Sequence, residues 1–412
     1  MTGGSTPGSL FPPRSAFIVL ALTCGFALGA ALSARPFLLA RALGVAEPIG
    51  SLWLDALTMT VVPLVFGLLV TGISSAAGAA AAGGIARRAI VCFAVVLVAA
   101  CALSAAFSSV ALSLWHVNSD LGVTAQPPKI LPSISHASWF DGIVPTNPVK
   151  AAADTAIVPL VVFAMLFGFA LARISEPLRE ALANVIAAIV ETMLVIVQWV
   201  LWLAPLGVFA LAISVGARLG AGAASALLQY VTLVSLSCIA AGLMTAVAAM
   251  AIGGRSPGSF LRAALPAQSV AVGTQSSLAS LPAMVQSANA LGVRREVAAV
   301  VLPLAVSIFR PASAAANLTV AIYAAHMAGA EVPLQVLFVG VFVAASVSLA
   351  AVGLPAQVSF FASIAPVCVA LGAPLTLLPV FLAVESVPDV FRTLGNVTSD
   401  LAVTRLVERW VR

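Results

Sequence analysis

Near the end of the chain Glu385, Asp389, Arg392, Asn396 and Asp400 follow one another at intervals of 4, 3, 4 and 4 residues, with Thr393 beside them. At about 3.6 residues per turn this spacing gathers all five within roughly an 80° arc, on one face of one helix. Such a face offers carboxylates to a cation and a guanidinium to a carboxylate, with amide and hydroxyl groups to orient both. The stripe lies in FLAVESVPDVFRTLGNVTSDLAVTRLVER, within a span predicted over 374–404. Ionisable groups are expensive in lipid, so the face must line a polar interior. A purely structural ladder, such as Asp389 with Arg392, is the alternative, but it has no need of Asn396 or Asp400.

A second charge stands apart. In VLPLAVSIFRPASAAANLTVAIYAA (301–325) the single charged residue is Arg310, followed at once by Pro311. It stands about 14 residues, hence roughly 20 Å, from the start of its helix, too deep to snorkel to an interface. It must face the protein interior and pair with an acid, because an unpaired buried charge costs several kcal/mol.

The elements that hold these residues follow from composition. Of 412 residues, 62% are hydrophobic and 8% charged, and the mean hydropathy is +1.14. A soluble domain carries roughly a quarter charged residues, so the solvent here must be lipid and the chain a polytopic membrane protein. The net charge of +5 does not mark a nucleic-acid binder, because the basic residues sit in the gaps between apolar segments. With the N-terminus inside, the inner side collects Arg14, Arg87, Arg88, Arg173, Arg179, Arg255, Arg262, Arg294, Arg295, Arg405, Arg409 and Arg412. The outer side collects Arg35, Arg41, Lys129, Lys150 and Arg218. This is the positive-inside bias, with both termini cytoplasmic and a bacterial-type inner membrane as the expected location. The five cysteines, Cys24, Cys92, Cys101, Cys238 and Cys368, are scattered in apolar runs without a CxxC and read as small buried hydrophobes. His116, His136 and His326 read as loop or boundary residues and not as metal ligands or bases. The segment Ala16 to Ala34 reads as a retained first helix and not as a cleaved signal.

Spans are predicted over 16–34, 50–76, 89–116, 155–172, 181–215, 225–252, 296–326 and 374–404, since a crossing needs about 20 apolar residues. The longest gap, 117–154, is expected to be an extracytoplasmic loop. Two stretches do not fit as ordinary spans. Ser259 to Leu291 is broken by GTQSSLASLP, and Pro333 to Pro374 by GLPAQ at Gly353 to Gln357. Each looks like two half-helices meeting at a tip. Non-helical backbone at membrane depth survives only where protein or a watery cavity satisfies it, and a pair of interrupted segments points to a transporter's central site. Periodicity alone leaves ordinary helices with loops as an alternative.

Several motifs taken together resemble the dicarboxylate/amino acid:cation symporters, the glutamate-transporter family. They are MTVVPLVFGLLVTGISS (59–75), IVPTNPVKAAADTAIVPLVVFAMLFGFAL (143–171), APLGVFAL (204–211), TQSSLASLP (274–282), VLPL (301–304) and PDVFRTLGNVTSD (388–400). The resemblance implies an all-α polytopic fold of eight transmembrane helices plus two re-entrant helical hairpins, with inverted repeats, assembled as a homotrimer and working as an elevator. It divides the chain into a cytoplasmic tail (1–15), scaffold helices (16–76 and 150–216), a transport-domain helix (89–116), an extracytoplasmic loop (117–149) and the rest of the transport domain (225–404). The hairpins fall at about 259–291 and 333–374, and a second cytoplasmic tail at 405–412. The charge count places the first hairpin inside and the second outside, in agreement with that arrangement. The resemblance further implies that Arg392 clamps a substrate carboxylate and that Asp389 accepts an α-ammonium. Thr393 and Asn396 then bond the substrate's polar groups, and Ser276 and Ser277 meet its α-carboxylate. Keeping both Asp389 and Arg392 points to an acidic amino acid, aspartate or glutamate, ahead of a plain C4-dicarboxylate.

The seventh span departs from the family. Where the family has Asn-Met-Asp-Gly-Thr, the chain has Phe309-Arg310-Pro311-Ala312-Ser313, and Val96, Ala99 and Ala100 stand where the third span supplies further oxygen ligands. One family sodium site is therefore expected to be lost. Arg310 then reads as a tethered cation in place of a bound sodium, with Asp389 and Asp400 its nearest candidate partners and Glu385 less so. It reads alternatively as a direct substrate contact, or as a structural residue with other partners. Asp400 corresponds to the acid of another sodium site and Ser307 to a hydroxyl of a further one, so Na+ remains a possible coupling ion beside H+, with no other cofactor expected. The second hairpin tip is Pro355-Ala356-Gln357-Val358 where the family has a glycine-rich gate, and Gln275 replaces an arginine at the first tip. The expected function is secondary transport of an acidic amino acid with reduced or altered sodium coupling. Proton-coupled or exchange transport, a C4-dicarboxylate carrier and a non-transporting ligand sensor are the alternatives, and nothing supports an enzyme.

Overall fold

Long uncharged runs in lipid must satisfy every backbone N–H and C=O within the segment, and a helix does so. The computed structural model describes residues 13–115, 143–219, 222–254, 256–350 and 356–411, and among them it is helical with no strand. The helices are α1 (Pro13–Ser33), α2 (Pro36–Thr58), α3 (Val61–Ala82), α4 (Gly84–Leu114), α5 (Pro148–Ala153), α6 (Ile157–Leu171), α7 (Glu176–Trp202), α8 (Ala204–Leu219) and α9 (Gly222–Gly253). After these come α10 (Pro257–Thr274), α11 (Leu281–Ala290), α12 (Arg295–Ile308), α13 (Pro311–Met327), α14 (Leu334–Ala350), α15 (Ala356–Leu371), α16 (Leu378–Val384) and α17 (Ser386–Val411). Pro36–Ala81, Gly84–Leu114, Glu176–Trp202, Ala224–Gly253 and Arg295–Met327 are long and apolar enough to cross a membrane.

Two groups of helices can be distinguished, and they meet where α3 touches α4, α14 and α15 and where α1 and α8 touch α16. In the first, α1 and α2 lie on α8, while α3 lies on α6 and α7. Gly25 and Gly29 of α1 form a GxxxG pair that lets α8 come to backbone distance. A Cβ added at Gly25 would stand 2.7 Å from the Phe209 carbonyl oxygen, and one at Gly216 2.6 Å from that of Phe26. The buried indole of Trp53 donates to the Val200 carbonyl at 2.8 Å and ties α2 to the end of α7.

In the second group α17 packs against α9, α13 and α4, with α10, α11 and α12 along its length. The pairs α10–α11 and α14–α15 each pack as a helical hairpin. The first turns at 275–280, within the predicted break, where Gln275 adopts a left-handed φ of 50°. The second tip, with Gly353 and Pro355, and the loop holding His116, Lys129 and His136 lie outside the described residues.

Several predicted boundaries are corrected. The expected polar gap at 35–49 is mostly helix, because α2 starts at Pro36 and runs through Pro48. The predicted span 181–215 breaks at Leu203, since it exceeds one bilayer thickness and Pro205 follows. Residues 405–411, expected as a tail, continue α17, with Arg405 and Glu408 buried. Arg405 donates to the carbonyls of Gly253 (2.7 Å) and Gly292 (3.3 Å), satisfying the ends of α9 and α11. Glu408 accepts from the Arg294 backbone N–H (3.1 Å) and its Nε (3.0 Å), which fixes the start of α12.

Candidate functional site: a buried cluster of carboxylates and guanidinium groups

The predicted stripe does lie on one face of α17. Asp389, Arg392, Thr393, Asn396 and Asp400 are all buried, as is Glu385 just before the helix. Glycine brings this face close to its neighbours. A Cβ on Gly395 would lie 2.7 Å from both the Ala312 Cβ and the Cys238 carbonyl oxygen, so α17 meets α9 and α13 almost backbone to backbone.

Opposite the stripe the seventh span is broken. Ile308 ends α12, Phe309 is extended, Arg310 is non-helical, and Pro311 opens α13 where its missing N–H costs nothing. The amide oxygen of Asn396 accepts from the backbone N–H groups of Ala312 (3.0 Å) and Ser313 (3.3 Å). Its Nδ2 donates to the Ser313 hydroxyl at 2.9 Å. Asn396 thus caps α13 from another helix and satisfies donors that would otherwise be orphaned inside the protein. Both ends of its amide are engaged in this conformation.

Arg392 is held at three points. Its Nη2 is paired with Glu385 Oε1, its Nη1 donates to Asn317 Oδ1 at 3.0 Å, and its Nε lies 3.9 Å from Asp389 Oδ1 without a hydrogen bond. Glu385 reaches Arg392 from the junction of α16 and α17, seven residues earlier. Its other oxygen accepts from the Tyr230 hydroxyl at 2.6 Å. Tyr230 stacks on Phe381 with centroids 4.3 Å apart and meets Tyr323 at 5.8 Å. The chain has two tyrosines, and both stand here.

Arg310 is partly exposed and within electrostatic reach of Asp389, Asp400 and Arg392. Asp400 is fully enclosed, neither carboxylate oxygen has a hydrogen-bond partner, and Arg310 is the charged group acting on it. The residue beside Arg310 carries no oxygen. Phe309 is fully buried and stacks on Phe93 of α4 at 4.5 Å between centroids, with Ala100 also fully buried in α4. Hydrocarbon fills the place where the resemblance puts sodium-binding oxygens, and these residues do not fit the ion. Ser307 is exposed and its hydroxyl turns back to the Pro303 carbonyl at 2.8 Å, so it is not drawn into the cluster. Ser276 and Ser277 stand at the half-buried hairpin tip, where the Ser276 hydroxyl accepts from the Ala279 N–H at 3.2 Å.

Sequence reading missed Tyr230, Asn317 and a buried hydroxyl network. In that network Thr319 bonds Ser104 (2.8 Å), Ser108 (3.1 Å) and Ser237 (2.9 Å), joining α4, α9 and α13. None of them is charged, so none stands out from the apolar runs around it as the α17 stripe does. The rarity of tyrosine was the one usable hint.

Comparison with known proteins identifies the family. The family model described as the sodium:dicarboxylate symporter family matches residues 15–410. The chain is 26% identical to the proton/glutamate-aspartate symporter of Escherichia coli (strain K12), over 95% of this chain and 92% of that protein. It is 24% identical to the proton/sodium-glutamate symport protein of Bacillus subtilis (strain 168), over 88% of this chain and 86% of that protein.

Proposed function

The chain belongs to the sodium:dicarboxylate symporter family, and from that membership we propose that it is a secondary transporter that carries an acidic amino acid, aspartate or glutamate, by symport. The observation that carries the substrate class is the facing pair on α17. Arg392 has an Nε without a hydrogen bond, and the Asp389 carboxylate stands 3.9 Å away, so one buried face offers a cation for a side-chain carboxylate and an anion for an ammonium group. A plain dicarboxylate has no group for Asp389. Both relatives are named for glutamate, which supports the same reading.

In this reading Thr393 lines the substrate face, the tip at Ser276 and Ser277 covers the α-carboxylate, and Asn396 chiefly holds α13 against α17. The first helix group acts as the scaffold of a homotrimer in the inner membrane, with both termini cytoplasmic. The group built on α4, α9 and α10–α17 moves against it as an elevator. Arg310 serves as a tethered cation for Asp400 and Asp389. A cation bound to the chain balances charge in every state but is never released, so it does no coupling work, and sodium coupling is correspondingly reduced.

Uptake of labelled L-aspartate into proteoliposomes tests this with a sodium gradient, a proton gradient and neither. Uptake driven by protons and indifferent to sodium is expected. Dependence on sodium would return Asp400 to the role of an ion ligand. No uptake and no binding of any acidic amino acid or dicarboxylate would favour the non-transporting sensor. Arg310→Met should make uptake require an added cation or abolish it, and an unchanged ion dependence would remove Arg310 from charge balance.

A further inference from the structure

We propose that Glu385 is the residue that carries a proton with the substrate, by handing Arg392 over to the substrate carboxylate and taking up a proton in its place. The inference rests on the substrate reading above and names the coupling device within it.

The argument is one of charge and partners. Three carboxylates, Glu385, Asp389 and Asp400, are buried with the guanidinium of Arg392, and the partly exposed Arg310 stands in the break before α13. Arg310 acts on Asp389 and Asp400, and Glu385 is ion-paired with Arg392. When an acidic amino acid enters, its ammonium group supplies a partner for Asp389 while its carboxylate claims Arg392. Glu385 is then the acid left without a cation. It is 6% exposed, and a buried carboxylate in that position neutralises itself by protonation instead of bearing the cost of an unpaired charge.

The surroundings suit that exchange. Glu385 holds Arg392 through Oε1 alone, while Oε2 is fixed separately by the Tyr230 hydroxyl at 2.6 Å. The proton, drawn from water on the side where substrate enters, goes to the vacated Oε1, and the Tyr230 bond to Oε2 persists. On the far side the substrate leaves, Oε1 gives its proton to water and pairs with Arg392 again. The empty carrier therefore crosses with that pair closed. The groups facing Glu385 are Tyr230 and Cys238 on α9, Tyr323 across the Tyr230 ring on α13, and Asp389 and Arg392 on α17. The other helices packed on α16, namely α1, α8 and α15, contain no carboxylate, and their ionisable residues are Cys24, Cys368, Arg14 and Arg218. The other acids of the cluster are therefore those of α17 itself, Asp389 and Asp400, which the substrate ammonium and Arg310 serve.

The test uses the purified full-length protein in weakly buffered detergent solution with a pH indicator, titrated with L-aspartate. Wild type is expected to take up about one proton per substrate bound, and its apparent affinity to fall by up to about tenfold per pH unit in the alkaline range. Glu385→Gln should take up none and bind with an affinity that does not vary with pH. Glu385→Asp should restore proton uptake. The substrate-induced infrared difference spectrum adds a second readout, in which a protonated-carboxyl band appears in wild type and shifts in Glu385→Asp. That band decides the matter if the glutamine variant does not bind. Wild type binding substrate with no proton uptake would overturn the proposal while leaving the transport reading intact, as would full uptake by Glu385→Gln or a band unmoved in Glu385→Asp. Wild type that binds no acidic amino acid at any pH would overturn both.

Discussion

The contact of α1 with α8 and that of α17 with α9 and α13 are both close, and both use glycine, yet they are sealed in opposite ways. At the first, Gly25, Gly29 and Gly216 bring bare backbone against backbone, and the interface is van der Waals packing. At the second, Gly395 and Gly242 allow the same approach, with a Cβ on Gly242 only 3.1 Å from the Gly395 Cα. There, however, the surrounding surface is polar: Asn396 caps α13, Arg392 pairs with Glu385, and Asp400 lies within electrostatic reach of Arg310. Lipid tails give no hydrophobic drive between helices, so shape alone suffices where nothing must change. Polar partners are kept where the pairing itself has more than one state. The first interface suits a static frame, and the second suits a site that exchanges partners.

The largest effect that would break this contrast comes from Arg392→Ala set beside Gly29→Leu. Truncating Arg392 leaves Glu385 and Asp389 buried without their guanidinium, and breaking a buried pair costs about 3–5 kcal/mol. Aspartate binding, read by scintillation proximity, should weaken by more than about a hundredfold. Gly29→Leu overpacks α1 against α8 and should cost about 1–3 kcal/mol in thermal stability, with aspartate affinity unchanged. If Gly29→Leu altered affinity as strongly as Arg392→Ala, the two interfaces would not be separable in function.

Legibility followed the same division. The face from Asp389 to Asp400 was readable because charge is rare in this chain, so a helical period written in charged residues stands out. The loss of oxygens at Phe309, Val96 and Ala100 was readable by type, and the structure adds the Phe93–Phe309 stack that fills the space. The partner of Arg392 was not readable. Asp389 lies one turn away and looked the nearer acid, but the turn between α16 and α17 brings Glu385 closer. Contacts made across 155 positions, such as Tyr230 with Glu385, leave no trace in local spacing. The ends of α2 and α17 were misplaced because arginine was read as a boundary. In fact Arg41 lies over the Phe37 ring within α2, and Arg405 caps two neighbouring helices.

A smaller effect sharpens the contrast at the C-terminal end of α17. Glu408→Ala removes the acceptor of the Arg294 N–H and guanidinium and should cost about 1–3 kcal/mol. The start of α12 should loosen, so limited trypsin digestion ought to cut at Arg294 or Arg295 faster than in wild type. Aspartate affinity measured at low temperature should hold, because this knot positions the hairpin without joining the charged cluster. A binding loss comparable to that of Arg392→Ala would instead make the knot part of the site.

The smallest effect is expected in the hydroxyl network, and its size distinguishes glue from machinery. Ser108 donates only to Thr319, whereas Thr319 also bonds Ser104, Ser237 and the Ala315 carbonyl (3.0 Å). Ser108→Ala therefore orphans no buried group, and interhelical hydrogen bonds in membranes average about 0.6 kcal/mol. A fall in thermal stability of that order is expected, with pH dependence and affinity unchanged. Thr319→Val removes the hub and leaves Ser104, Ser108 and Ser237 to rearrange, so it should cost two to three times as much, about 1–2 kcal/mol. The two substitutions share a partner, so the double variant should cost less than the sum of the singles. Strict additivity would mean that the hydroxyl groups act independently, and that α4, α9 and α13 are joined by shape alone, as α1 and α8 are.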